Sequence, residues 1–455
     1  MLKKTLQQYK KIGVLIVILV GLVHLNISFA AERRYHTPEQ EMAQNFMYQV
    51  RAHFTIVDDP VVQSYVQSLG QKLVAHSSER YRKFNFFVVE DDSINAFSGP
   101  DGNIGINTGI IMATNSESEL ASVLAHEITH VTQQHILRAE DKSKGMMLPN
   151  IAATAALVAA GMASHSASGA NVAAGAAMAG MSGNGQYQVN TIRGYEEEAD
   201  RIGIKVLYLS GFDPFAMPEL FERLERQSFN SAGDVPAILI DHPVTDARIA
   251  DAKNRAEQYP KHKVLKNFDY YLVKARLKAF LSENNYRIGD YFKVAMQNQD
   301  AMQRDAARYG YTLLLLHNIK LHDAEANIRI LTAKYPGNAI CQITLSEINN
   351  AAQRNDKALA IAQQSLVAHP DYYPAIIRFA EALLAAQHYA TAENFLTAQT
   401  QNYPDDMIIY QLLSMAQAKN GHLAAAYQSR AKIYNSLGYS QAAEVQLEQA
   451  KKHAQ

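Results

Sequence analysis

Cysteine is nearly missing from this 455-residue chain: Cys341 is the only one. No intrachain disulfide can form, so the fold must rest on packing or on metal. Cys341 lies among helical repeats and is read as a small buried apolar residue. A charge excess is missing as well. The formal net charge is -1, from 43 basic and 44 acidic residues, and no basic field points to nucleic acid. The composition carries no disorder signature either, with 48% hydrophobic and 19% charged residues.

The N-terminal apolar run, Ile12 to Leu25, is short for a membrane span, which takes about 20 residues. It follows Lys3, Lys4, Lys10 and Lys11 and precedes Ser28-Phe29-Ala30, where Ser28 and Ala30 put small residues at the two positions a signal peptidase reads. Residues 1–30 therefore read as a cleaved secretory signal, and no cysteine nearby allows a lipoprotein. Removal leaves 39 basic and 44 acidic residues, a net charge near -5. The alternative is an anchor that retains residues 12–25, which N-terminal sequencing would decide. Residues 145–185 are rich in Ala, Gly, Ser and Met and almost free of charge. They read as a mobile lid or a membrane-proximal segment giving peripheral membrane contact, against a packed helix followed by a loop. Alanine buries too little area for a strong span.

Local patterns divide the rest. Val61, Val62, Tyr65, Val66, Leu69 and Leu73 give Pro60–Val74 a helical period. Phe84–Val89 and Ile104–Thr108 read as strands around a turn at Ser98–Asn103. Ser116 and Glu119 can form a capping box for a helix carrying Leu120, Val123, Leu124, Ile128 and Val131. Further on, Ala324, Ala358, Ala392 and Ala426 recur every 34 residues, as do Pro336, Pro370 and Pro404. Ala380 and Leu396 fit the same register, which is the tetratricopeptide period. Small residues let paired helices approach, and the proline stops the second helix. Such arrays curve into an α-solenoid with a concave surface that holds peptides or partner segments.

The chemistry lies upstream. His126-Glu127-Ile128-Thr129-His130 puts two imidazoles on one helix face, at two corners of a zinc tetrahedron. Glu127, about 100° around the helix, can reach an attacking water as general base. Glu196 and Asp200 share another helix face: Glu196 suits a carboxylate ligand and Asp200 an acceptor for a ligand histidine. An acidic helix start is the alternative, and Glu197 and Glu198 are assigned to it. His242, fixed beside Pro243, could be a reversible fourth ligand or stabilise the transition state. Arg248 could hold a carboxylate or orient the substrate carbonyl. His135 falls off the zinc face and is read as a surface residue. A substrate strand would pair with an edge strand over Ile104–Asn107, with 145–185 and His242 gating access.

Together His126–His130, Glu196 with Asp200, His242-Pro243 with Arg248, and Ile94-Asn95-Ala96-Phe97 followed by Gly105–Gly109 resemble the M48 family of zinc metallopeptidases. The resemblance implies an α+β zincin-type (gluzincin) domain with a small sheet over 31–262, followed by the α-solenoid of repeats over 263–455. It implies one Zn2+ per chain on His126, His130 and Glu196, with Glu127 as base. For a member with a signal and such repeats it implies a periplasmic endopeptidase, possible association with the outer membrane included. Its clients would be unfolded or misassembled outer-membrane β-barrel proteins, degraded or helped to assemble, with the repeats meeting the β-barrel assembly machinery. Where many members have Pro-Gly-Gly, this chain has Pro100-Asp101-Gly102. The rival is a non-proteolytic chaperone or scaffold with a structural site of His126, His130, Glu196 and His242, since structural zinc takes four protein ligands.

Overall fold

Thr37 and Gln40 open the first helix with a reciprocal capping box, and Asp59 opens the second by accepting from the Val61 and Val62 amides. The computed structural model in which these caps are seen describes residues 37–143, 185–230, 236–260, 263–281 and 285–454. The expected signal over 1–30 lies outside them, as does 145–185 apart from its last residue. The first helices are α1 (Pro38–His53) and α2 (Pro60–Val74). Three strands follow, β1 (Asn85–Val89), β2 (Ala96–Ser98) and β3 (Asn103–Asn107), then α3 (Thr108–Ala113), α4 (Glu117–Thr132) and α5 (His135–Ser143). Next come α6 (Gly185–Leu209), α7 (Ala216–Asn230), the short α8 (Ala237–Asp241) and α9 (Asp246–Ala256). No helix among the described residues is long and apolar enough to cross a membrane.

The strand order is β1-β3-β2, with β1 parallel and β2 antiparallel to β3. This corrects one expectation: the strand over Ile104–Asn107 is central and cannot take a substrate strand. The outer side of β1 is also engaged. Val57 donates to the Val88 carbonyl, Glu90 to the Thr55 carbonyl, and the Gln67 side chain joins the Phe86 amide and the Phe84 carbonyl. The ladder pairs Phe97 with Gly105, and Asn107 donates to the Asn95 carbonyl. Alternate residues of an antiparallel strand turn their backbone groups outward, so Ala96 and Ser98 face away from β3. Between β2 and β3, Asp101 has φ 55 and Gly102 φ 77, so the aspartate occupies a left-handed position that glycine fills without strain.

Helix α4 is buried on nearly every side, against α2, α6 and α7. Its apolar residues Leu120, Leu124 and Ile128 belong to a cluster that runs from Val61 on α2 to Ile348 and Ala375 in the repeats. A largely buried ion pair crosses the same boundary. Arg276, on the helix Phe268–Phe280, donates from Nε to both oxygens of Asp59 at 2.8 Å and from Nη1 to the Tyr309 hydroxyl at 2.8 Å.

The repeat region is a succession of packed helices from Phe268 to His453. Ala324, Ala358, Ala392 and Ala426 are buried, as are Ala380 and Leu396. Ser346 and Ser414 donate to the Ala358 and Ala426 carbonyls at 2.8 and 3.1 Å, closing each hairpin. Second helices end at Lys334, Ala368 and Asn402, just before the periodic prolines. Each hairpin turn holds a residue at positive φ, namely Ile319, Gln353, Gln387 and Gly421. The next amide reaches back across the turn, as from Lys320 to Leu315 and from His422 to Gln417.

Candidate metal centre

Four donor residues meet beneath the sheet. His126 and His130 come from α4, Glu196 from α6, and His242 from the C-cap of α8. His126 Nε2 lies 2.9 Å from His130 Nε2 and 3.2 Å from His242 Nδ1. Glu196 reaches His126 Nε2 and His130 Nε2 at 3.4 Å each, and His242 Nδ1 at 3.1 Å. One ligand atom from each falls within 4.8 Å of every other. Tetrahedral zinc with bonds of about 2.0–2.1 Å sets neighbouring donors roughly 3.3 Å apart, so this chemistry and spacing fit that ion.

Glu127 lies beside the group. It is 1% exposed, and neither oxygen accepts a hydrogen bond among the described residues. Its nearest basic atom, His242 Nε2, is 3.4 Å away. Buried polar atoms are nearly always satisfied, so a carboxylate left open toward a donor cluster marks a place for a ligand or a reacting group. An apolar recess lined by Val123, Leu220, Phe221, Leu224, Ile238 and Leu239 ends at Glu127 and His242; at about 20 Å³ it holds roughly one water.

Asp200 Oδ1 is 3.0 Å from His126 Nδ1. Arg248 donates to Asp200 from Nε at 2.7 Å and Nη2 at 2.9 Å, to the Pro243 carbonyl at 2.7 Å, and stands 3.1 Å from Glu196. Of the two expectations for Arg248, the side chain is engaged with carboxylates. Burial alone would push the Glu196 carboxyl up, but His242 and His126 hold it well below the usual range. Asp200 is held low in the same way, by His126 and Arg248 against burial. Burial opposes a charge on His126 too, yet Asp200 and Glu196 raise it to about 10. Burial and the neighbouring imidazole of His126 push His130 well down. The positive charge facing these acids thus comes from His126 and His242 in the donor group and from Arg248 behind it.

Two residues read from sequence as surface groups belong to the site. His135 is 3% exposed, and its Nδ1 lies 3.0 Å from His130 Nδ1. Judging His135 by the face of α4 assumes that the helix continues past Thr132. In fact Gln133 caps the helix, Gln134 turns at φ 54, and His135 starts α5 folded back on the zinc face. Glu198 is the second: its Oε2 meets His135 Nε2 at 3.2 Å and Arg138 at 2.9 Å, whereas Glu197 is exposed as expected. Asn95 enters the sequence reading only through the resemblance to the family. It donates to Asp241 at 2.9 Å, and the Ile238 amide donates to the Ile94 carbonyl, tying the element that carries His242 to the start of β2.

Comparison with known proteins agrees with this architecture. The family model "Peptidase family M48" matches residues 60–256, and a tetratricopeptide repeat model matches 349–419. The chain is 33% identical over 406 residues to the beta-barrel assembly-enhancing protease of Yersinia pestis, covering 86% of this chain and 81% of that one. The protein of the same name from Escherichia coli (strain K12) is 33% identical over 404 residues, with 88% and 81% covered. The mitochondrial metalloendopeptidase OMA1 of Schizosaccharomyces pombe is 27% identical over 217 residues, with 46% and 59% covered. Helical repeats behind a small-sheet domain, a buried His-Glu-x-x-His helix and this extent of identity lead to one assignment: the chain is a metallopeptidase belonging to family M48, in the group that continues into tetratricopeptide repeats.

Proposed function

We propose that this chain is an exported zinc endopeptidase with a chaperone-like role, acting in the periplasm on outer-membrane β-barrel proteins and degrading misassembled forms. Residues 31–262 would form the peptidase domain and 263–455 the repeat domain that holds clients and meets the β-barrel assembly machinery. The client class and location rest on the names of the two bacterial relatives. The observation carrying the enzymatic reading is the open Glu127 carboxylate beside His126, His130 and Glu196. A purely structural centre has no use for it.

In this reading His126, His130 and Glu196 hold the ion, and Asp200, clamped by Arg248, orients His126. A zinc ion held there supplies Lewis acidity at the scissile carbonyl and makes water easier to deprotonate. An unfolded client strand adds to the outward side of Ala96–Ser98 through the Ala96 carbonyl and the Ser98 backbone, the Ala96 amide being held by Asn95 Oδ1, and this brings a peptide bond to Glu127. Glu127 takes a proton from the attacking water and delivers it to the leaving amine. His242 closes the donor set at rest and withdraws to admit substrate. That closed set of four favours the rival reading of a structural site, so the two must be separated by experiment. Metal analysis with casein digestion, with and without chelator, does so at the first level. Stoichiometric zinc and chelator-sensitive cleavage are expected; zinc with no cleavage under any condition would leave the scaffold.

A further inference from the structure

His130 and His126 are supported differently. His126 rests directly on a carboxylate, Asp200, held by Arg248. Behind His130 stands a second imidazole. His130 turns Nε2 to the donor group, 2.9 Å from His126 Nε2 and 3.4 Å from Glu196. A ligating nitrogen must present its lone pair, so the hydrogen of neutral His130 sits on Nδ1. The acceptor there is His135 Nδ1, at 3.0 Å. His135 must then carry its own hydrogen on Nε2, which points to Glu198 Oε2 at 3.2 Å. Arg138 donates to the same oxygen at 2.9 Å and lies over the Tyr195 ring, and that ring stacks on His135 at 4.6 Å. Every bond has one hydrogen, and no other neutral assignment achieves this.

We propose, on the reading that His126, His130 and Glu196 hold zinc, that His135 and Glu198 are positioning residues for that centre, fixing the tautomer and plane of His130 through an imidazole relay that ends on a carboxylate. Each ligand histidine then ends on an acid gripped by an arginine, directly for His126 and one ring further out for His130. Such outer partners raise ligand basicity and usually change metal affinity 10–100-fold when removed. The relay also explains why a histidine is buried where α4 ends: the turn at Gln134 brings back the one acceptor His130 needs.

The test compares wild type with His135→Phe and His135→Asn. Phenylalanine keeps a ring against Tyr195 but accepts no hydrogen bond; asparagine gives up the stack but puts a carbonyl oxygen near the place of Nδ1. A packing role favours Phe over Asn, and a positioning role favours Asn. Each metal-stripped protein is titrated with zinc against a chelating indicator, its melting is recorded, and its Co2+ form is examined by visible absorption. The expected result is zinc affinity lowered about 10–100-fold in the Phe variant with an altered cobalt spectrum, and largely recovered in the Asn variant. Equal zinc affinity in wild type and His135→Phe overturns the role, as does an Asn variant as weak as Phe while both melt like wild type. Should His135→Phe not fold, Glu198→Ala carries the test: unchanged zinc affinity there overturns the relay. A wild type that takes up no zinc sinks the metal reading itself.

Discussion

Glu127→Gln should make the protein more stable without metal and nearly inactive with it. The carboxylate is 1% exposed, accepts no hydrogen bond among the described residues, and has His242 Nε2 at 3.4 Å as its nearest basic atom. A buried polar group left without a partner costs about 1–3 kcal/mol, more when charged. A neutral amide of the same shape recovers part of this, roughly 1–2 kcal/mol. For an unfolding unit the size of the peptidase domain that raises melting by roughly 2–8 °C. Loss of a general base removes about 10²–10⁴ in rate, or roughly 3–5 kcal/mol of transition-state stabilisation. The assay pairs melting of chelator-treated wild type and variant with zinc content and peptide cleavage of the loaded forms. A variant more than about 1 kcal/mol less stable than its parent would mean that the fold satisfies this carboxylate, and the structural argument for a catalytic site would fail. Zinc retained with cleavage at the parental rate would remove Glu127 from the chemistry. Client assembly that survives while cleavage is lost would identify a separate chaperone activity.

Three other outcomes follow from the structure. His242→Ala should raise basal cleavage of an unfolded protein, and unchanged or lower activity would count against the gate. Ile319 is a β-branched residue at φ 59, 78% exposed, in a turn where the matching repeat position is Gly421. Ile319→Gly should therefore add about 1 kcal/mol in a denaturant titration by relieving left-handed strain, and a lower midpoint would refute this. Burial lowers Lys274 to about 8, with Glu119 opposing and Arg223 and Lys278 assisting. The unfolded chain holds this proton up to about 10.4. Between these values it binds more protons than the folded protein, so the Lys274 contribution to stability rises with pH. Lys274→Met should flatten urea midpoints between about pH 8 and 10; parallel profiles for the two proteins would contradict it.

What the sequence revealed depended on period. Two histidines four residues apart on an apolar helix needed only helical geometry, and alanines every 34 residues needed only counting. A role for Asp200 behind a ligand histidine followed from its four-residue spacing from Glu196 on α6, and the structure shows that histidine to be His126. His135 was misplaced because Gln134 gives no glycine signal for its positive φ, so the helix seemed to continue. The repeat turns stayed hidden for the same reason at Ile319, Gln353 and Gln387. Strand order was unreadable: β2 has three residues, too few to show alternation, and placing β3 between β1 and β2 is a matter of long-range pairing. Likewise, nothing local in Asn95 or Asp241 announces that they meet from 146 positions apart.

The occupied flank of β1 bears on which proteins this molecule can take. With Gln67 and the Thr55–Val57 backbone engaged there, growth of the sheet is confined to the Ala96–Ser98 side. If clients dock by the proposed strand addition, a guest would have to arrive as a lone extended chain with its own peptide groups free to bond. A completed barrel has every strand joined to two neighbours and exposes no such edge. On the proposed reading, the maturity of a client would be judged by geometry: a finished barrel would have no edge to offer, and only an unfinished one could be cut.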